Sequence, residues 1–208
     1  MDDEAGQVLA NTEGGALRYV RCDVTDIEAL QQAVASIGRT LGDIAVLINN
    51  AANDNRHDVR ALDVAGWDGA MAVNLRHQFF AAQAVEPMMA RRGGGSIVNL
   101  TSIAWMAGGV DMIAYSTAKA GVMGLTNSLA REYASAKIRV NAIAPGAVLT
   151  ERQLKLWFTD ETARAMVERQ LVKERLLPEH IADTALFLAS DASAMITKQC
   201  LVVDAGLR

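Results

Sequence analysis

Apolar positions along the chain follow two alternating periods, and the alternation lays out an ordered series of strands and helices. Residues 17–21 read as a short strand. Thr25-Asp26-Ile27-Glu28 matches a capping box, a Ser/Thr followed three positions later by Glu. It predicts a helix to about Leu41 with Leu30, Ala33, Val34 and Ile37 along one face. Residues 44–48 are continuously apolar, as in a strand buried on both faces. A polar loop follows over 53–60. A helical period then runs over 67–89, with Asn74 as a candidate interruption because asparagine is mildly unfavourable inside a helix. It stops at Gly93-Gly94-Gly95. Further strands are expected at 96–100, 138–143 and 200–203, the middle one ended by Pro145-Gly146. Further helices are expected over 110–133 and 159–173, and from Pro178, a good first helical residue, to about Ser190.

Short apolar strands alternating with helices imply an α/β fold around a mostly parallel sheet. No repeat, low-complexity tract or linker divides the 208 residues, so a single domain over 1–208 is expected. Hydrophobic residues make up 51% of the chain, too many for a disordered segment. The net charge is −4 with no long basic run, which argues against nucleic acid as a partner. Cys22 and Cys200 fit neither a disulfide framework nor a metal-ligand spacing. His57, His77 and His180 show no such spacing either, so no metal is expected. No apolar run approaches the ~18 residues of a membrane span. Met1-Asp2-Asp3-Glu4 lacks the basic start of a secretory signal. A cytoplasmic setting with reduced thiols is expected.

Tyr115 and Lys119 stand four residues apart in the helix expected over 110–133, so their side chains share one face, one turn apart. A phenol ordinarily titrates near ~10 and is a poor base at neutral pH. A nearby ammonium favours the phenolate and lowers that value. The pair then suits interconversion of C–OH and C=O, in which a proton and a hydride leave or reach one carbon. An isolated pair of this spacing is also a common surface feature of helices. Ser102 strengthens the case: it follows the 96–100 strand, and ligands in open parallel sheets sit beyond the carboxyl ends of strands. Its hydroxyl could hold the reacting oxygen beside the phenol, or simply cap the next segment. A break at Asn74 would free backbone groups to hold water; otherwise Asn74 is an exposed helix residue.

Taken together, these residues resemble the short-chain dehydrogenases/reductases. Asn49-Asn50-Ala51-Ala52 resembles that family's Asn-Asn-Ala-Gly strand end, and Cys22-Asp23-Val24 its Asp-Val adenine contact. Asn74, Ser102, Tyr115 and Lys119 match its catalytic tetrad in order and approximate spacing. Pro145-Gly146-Ala147-Val148-Leu149-Thr150 resembles its Pro-Gly-x-Val-x-Thr segment, and Asp204-Ala205-Gly206 its closing strand. The resemblance implies a Rossmann-like doubly wound parallel sheet and NAD or NADP as cofactor, NAD slightly favoured. Tyr115 would be the general acid/base, and Lys119 would lower its pKa and hold the nicotinamide ribose. Ser102 would orient the substrate oxygen, and Asn74 would hold a water for proton relay. Asp23 and Val24 would contact adenine. Asn50, Ala51 and Ala52 would pass close to the cofactor, and Pro145, Gly146, Val148 and Thr150 would line its nicotinamide end. Tetramers or dimers are common in the family, and Phe79, Phe80, Ala82 and Val85 could supply their apolar face or pack within the chain.

The chain departs from the family at its start. The first two strands and the glycine-rich phosphate loop are missing, and Gly14-Gly15 precedes an expected strand rather than a helix. A unit of roughly 30 or more residues is therefore expected to be absent. The residue that distinguishes NAD from NADP goes with it. The chain as it stands is expected to bind cofactor poorly and to expose an apolar edge at 44–48.

Asn53-Asp54-Asn55-Arg56-His57 should lie near the mouth of the site, with Trp105 three residues after Ser102 and with Arg152, Gln153 and Trp157 beyond Thr150. Polar groups there suit a polyhydroxylated substrate, since each buried hydroxyl needs a partner, and Trp105 or Trp157 could stack on a sugar ring. Asn53, Ser102, Trp105, Tyr115 and Arg152 are the candidate substrate contacts. The same stretches resemble aldose 1-dehydrogenases acting on pentoses such as D-xylose. Two other readings remain: an inactive fragment or non-catalytic α/β module, and a ketone reductase on apolar substrates.

Overall fold

Four parallel strands pair side by side in chain order, β1 (Val46–Asn49), β2 (Gly95–Leu100), β3 (Ile138–Pro145) and β4 (Cys200–Val203). The computed structural model describes residues 3–12 and 16–208; Gly14-Gly15 lies outside them. Nine α-helices accompany the strands among the described residues: α1 (Asp3–Thr12), α2 (Ile27–Leu41), α3 (Val64–Met71), α4 (His77–Arg91), α5 (Ala104–Ala107), α6 (Ile113–Glu132), α7 (Glu151–Leu156), α8 (Asp160–Arg169) and α9 (Pro178–Ala189). None of them is long and apolar enough to cross a membrane.

Successive residues of a strand face opposite sides, and both faces of the central strands β2 and β3 are covered. Ile97, Ile138 and Val140 pack on one face against Val85 and Met89 of α4, Leu129 of α6 and Val34 of α2. Val98, Leu100 and Ile143 pack on the other against Ala185 and Leu188 of α9. Each such large apolar side chain contributes ~1.5–3 kcal/mol by leaving water. The first of these clusters absorbs Ala82 and Val85, so of the four residues proposed for a subunit face only Phe79 stays exposed, its ring edge-on to Phe80.

Polar pins fix the strands to the helices. Asn49 Nδ2 donates to Asn99 Oδ1 at 2.9 Å, and Asn99 Nδ2 donates to Thr126 Oγ1 at 3.0 Å, which ties β1, β2 and α6 together in the core. At the carboxyl ends, Thr101 N donates to Ile143 O (2.8 Å) and Ile103 N to Pro145 O (3.1 Å). The segments after β2 and β3 are thereby held beside each other.

Two expected elements come out differently. Residues 17–21 form no strand. A strand needs a neighbour for its ladder, and here the segment lies against α1 instead, with Tyr19 Oη donating to Asp3 and Arg21 paired to Asp3 at 2.9 Å. The cap of α2 is Asp26, one residue later than Thr25, its carboxylate accepting from Ala29 N at 3.0 Å. β1 forms one edge of the sheet, with Val46 and Ile48 exposed. The interruption expected at Asn74 is a π-helical turn over Ala72–Arg76 between α3 and α4, the local form in which such breaks often mark a site.

Candidate functional site

A cavity of about 990 Å³ opens beyond the carboxyl ends of the strands. Asn50 and Ala52 after β1, Ser102 after β2, and Pro145, Gly146, Val148 and Thr150 from the end of β3 onward all line it, together with Tyr115 and Lys119 of α6. This is where an open parallel sheet places ligands, because its loops leave all strands on the same edge.

Tyr115 and Lys119 share a face of α6, and the Lys119 nitrogen sits 5.6 Å from the centre of the tyrosine ring. The Lys119 ammonium is buried and donates to Leu100 O at 2.7 Å. Burial pulls its pKa down to about 8. The expected lowering of the Tyr115 pKa does not appear. Burial raises it, Asp54 adds to the rise, and a hydrogen bond with Ser102 only partly opposes them. The reason is geometric: the ammonium lies over the ring and points to a carbonyl, so desolvation of the phenolate prevails. Ser102 therefore does stand at the phenol, and its oxygen also accepts from Ala104 N at 3.1 Å.

Asn74 does not line the cavity. It is buried in the π-turn and grips the next loop twice: its Oδ1 accepts from Asn53 N and its Nδ2 donates to Asn53 O, both at 2.9 Å. Its own carbonyl, freed by the π-turn, receives Gln78 Nε2 at 3.4 Å, and the same amide reaches Leu100 O at 3.4 Å. Gln78 thus links the break in the helix to the carbonyl that Lys119 uses. His77 beside it is buried, and neither ring nitrogen makes a hydrogen bond of normal geometry. Burial and the Lys119 charge push its pKa down to about 4, against a lift from the nearby Ala72 carbonyl. Gln78 escaped the sequence reading and His77 entered it only for its lack of metal-ligand spacing, although two polar residues three and four positions after Asn74, at the start of the helix, were the available signal.

Several predicted contacts stand elsewhere. Asn53 turns its side chain into its own loop, accepting from Asn55 N at 3.0 Å, and stays outside the cavity lining. The Asn74 grip presents the next residue, Asp54, to the cavity instead. Asp54 Oδ2 accepts from Gln153 Nε2 at 2.6 Å and its Oδ1 is paired with Arg152. Burial raises the Asp54 pKa, but those hydrogen bonds and the Arg152 charge outweigh it and leave the carboxyl below its usual range. Arg56 stacks over Trp157 at 4.7 Å. Trp105 lines a smaller neighbouring recess of about 480 Å³ that shares Ala104 and Gly109 with the main cavity. Asp23, Val24 and Ala51 do not line either cavity; the Asp23 carboxylate is spent on Thr25 N and Oγ1 in the turn before α2. Gly146 does line the main cavity, yet a Cβ there would come within 2.8 Å of Asp204 Cα, so packing against the end of β4 already requires glycine. Among the described residues, no group of His, Cys, Asp and Glu could hold a metal ion.

The arrangement has known counterparts. The model of the family described as Enoyl-(Acyl carrier protein) reductase matches residues 1–208. The chain is 46% identical over 201 residues to the probable galactose dehydrogenase GalD of Rhizobium meliloti (strain 1021), covering 97% of the chain and 78% of that protein. It is 45% identical over 209 residues to the D-xylose 1-dehydrogenase of Caulobacter vibrioides (strain NA1000 / CB15N), covering 100% of the chain and 82% of that protein. A crystal structure from Sinorhizobium meliloti 1021, assigned as a short-chain alcohol dehydrogenase, superposes with a TM-score of 0.89 at 34% identity, over 98% of this chain and 81% of that one.

Proposed function

The chain belongs to the short-chain dehydrogenase/reductase family, and from that premise we propose that it oxidises the anomeric C–OH of an aldose of the xylose or galactose type to the lactone, with NAD or NADP as the hydride acceptor. The observation that carries this reading is one cavity in which Ser102, Tyr115 and Lys119 meet the polar side chains of Asp54, Arg56, Arg152 and Gln153. An alcohol-oxidising centre with an apolar substrate would gain nothing from those four groups, whereas a sugar needs partners for every hydroxyl it buries.

The residues at one end of the cavity suit the nicotinamide end of the cofactor. Lys119 spends one N–H on Leu100 O, and an ammonium has three, so two remain for hydroxyls such as those of a ribose. Ala52, Gly146 and Ala147 offer little side chain to obstruct a flat ring. Asp23 and Val24 lie off the cavity, and nothing in the geometry supports the adenine role the resemblance implied for them. The cofactor, when bound, supplies the hydride acceptor.

The chain's own residues handle the proton. Ser102 hydrogen-bonds the reacting oxygen, and Tyr115 takes its proton. The charge of Lys119 then favours the phenolate that must form. Asn74 fixes the backbone of Asn53, and through it the placement of Asp54, which is a positioning role rather than the water-holding one. Because burial raises the Tyr115 pKa, the base form becomes more abundant as pH rises, and oxidation should quicken with pH until Lys119 loses the charge that favours the phenolate, at about 8. A dimer or tetramer remains part of the proposal, with Phe79 as the exposed apolar residue of α4.

An NAD- and NADP-linked screen over aldoses, simple secondary alcohols and apolar ketones tests the reading, on this chain and on any longer product of the same reading frame. Turnover of an aldose that climbs with pH is the expected result. Reduction of apolar ketones without aldose turnover would replace it with the ketone-reductase reading, and no turnover with either cofactor would leave a non-catalytic module.

A further inference from the structure

Asp54 is the group at the cavity mouth whose chemistry is least like a passive wall. It is a carboxylate with its side chain only 16% exposed, it lines the cavity, and its charge is felt by the Tyr115 hydroxyl. It is also held from both sides. Arg152 pairs with Oδ1, and Gln153 Nε2 donates to Oδ2 at 2.6 Å. Both partners come from α7, ninety-eight and ninety-nine residues later in the chain. Behind it, Asn74 clamps the backbone of Asn53 on both its N–H and its C=O. A surface carboxylate would not need four separate restraints; this one is aimed.

We infer that Asp54 is a specificity-determining residue, a fixed acceptor for a hydroxyl of the substrate other than the one being oxidised, held in place by Arg152 and Gln153 of α7. The inference rests on the aldose reading of the same cavity and deepens it. An ionised carboxylate offers about four lone-pair positions and no donor. Arg152 and Gln153 take two, so Asp54 can receive one or two substrate O–H groups and reject ether, methyl or carbonyl groups in that place. A substrate without the hydroxyl leaves a partly buried charge short of a partner, and sites built to bond a hydroxyl discriminate strongly against analogues that lack it. Arg56, seated on Trp157 at 4.7 Å, joins the same loop to the residue that follows α7.

The test reads sugar binding directly and turnover separately. Ligand-observed NMR titrations of the 208-residue chain would compare an aldopentose with its 2-, 3- and 4-deoxy analogues, for wild type, Asp54→Asn and Asp54→Ala, with thermal melts to verify folding. Wild type should bind the parent sugar at least about 10-fold more tightly than one of the deoxy analogues, by the ~1.4 kcal/mol that a tenfold change represents. Asp54→Ala should bring that ratio close to one. Asp54→Asn, which keeps an acceptor oxygen and the shape, should retain part of it. Arg152→Ala, which frees the carboxylate without removing it, should weaken the parent sugar while preserving the order among the analogues. Equal binding of all analogues by wild type, no sugar binding at all, or an unchanged ratio in Asp54→Ala would each overturn the inference. Sugar discrimination by Asp54 without any NAD- or NADP-linked turnover would instead sink the dehydrogenase reading and leave the Asp54 assignment standing.

Discussion

Replacing Lys119 with methionine sets the cost of burying this lysine against its proposed use. Lys119 is 1% exposed, and burial alone takes its pKa from 10.5 to about 8. At about 1.4 kcal/mol per pH unit, folding with the charged form costs roughly 3 kcal/mol more than folding with the neutral one. Methionine has similar length and packs readily in apolar surroundings. It forfeits the 2.7 Å bond to Leu100 O, a charged hydrogen bond of the kind worth ~1.5–3 kcal/mol, although Gln78 still reaches that carbonyl at 3.4 Å. The two effects leave Lys119→Met between unchanged and about 2 kcal/mol more stable at neutral pH. The pH dependence is the sharper signature. The folded pKa of about 8 lies below the unfolded 10.5, so across that window the unfolded chain binds more protons than the native one. Wild-type stability then rises with pH, and below the window the penalty is constant. The advantage of the variant should therefore be full below pH 8 and fade toward pH 10.5. Urea titrations of both proteins near neutral pH and near the top of the window measure it. Removing the Lys119 charge also lifts one of the two influences depressing His77, so that imidazole should titrate above about 4. Aldose turnover should meanwhile fall about 10²–10⁴-fold. A variant that is clearly less stable at neutral pH, by a deficit indifferent to pH, would refute the argument.

Three further substitutions probe the rest of the framework. Tyr115→Phe keeps the ring beneath Lys119 but removes the hydroxyl beside Ser102; steady-state turnover should drop about 10²–10⁴-fold while the thermal melt changes little. Asn99→Ala strips the acceptor from Asn49 and the donor from Thr126, all three buried, and should cost about 2–4 kcal/mol, seen as a lower urea midpoint at unchanged slope. Gly146→Ala places a methyl 2.8 Å from Asp204 Cα, an overpacking expected to cost about 1–3 kcal/mol even without ligand; an unchanged midpoint would return that glycine to a purely cofactor-binding role.

What the sequence made legible was what burial imposes locally. β2 and β3 are short, predominantly apolar strands because both of their faces are covered, and α6 carries Tyr115 and Lys119 on one face because they are spaced one helical turn apart. Residues 17–21 had the pattern of a strand, but pattern supplies propensity and only a neighbouring strand supplies the ladder. α1 is short, and polar residues fill half of its ten positions. At the mouth of the site the error was one residue. Asn53 was the expected contact, whereas Asp54 is the residue that lines the cavity, because the phase of the loop is set by two hydrogen bonds to Asn74, twenty-one positions away. No local periodicity encodes such a phase.

The same limit applies to the chemistry, and there it carries a consequence. Spacing could place an ammonium beside a phenol, and it does stand there, but spacing is silent on how much water each group loses. In the folded chain desolvation prevails at both: it raises the tyrosine and lowers the lysine, each toward its neutral form. Such a site is poised rather than active. Asp54 adds a smaller push on the phenol in the same direction.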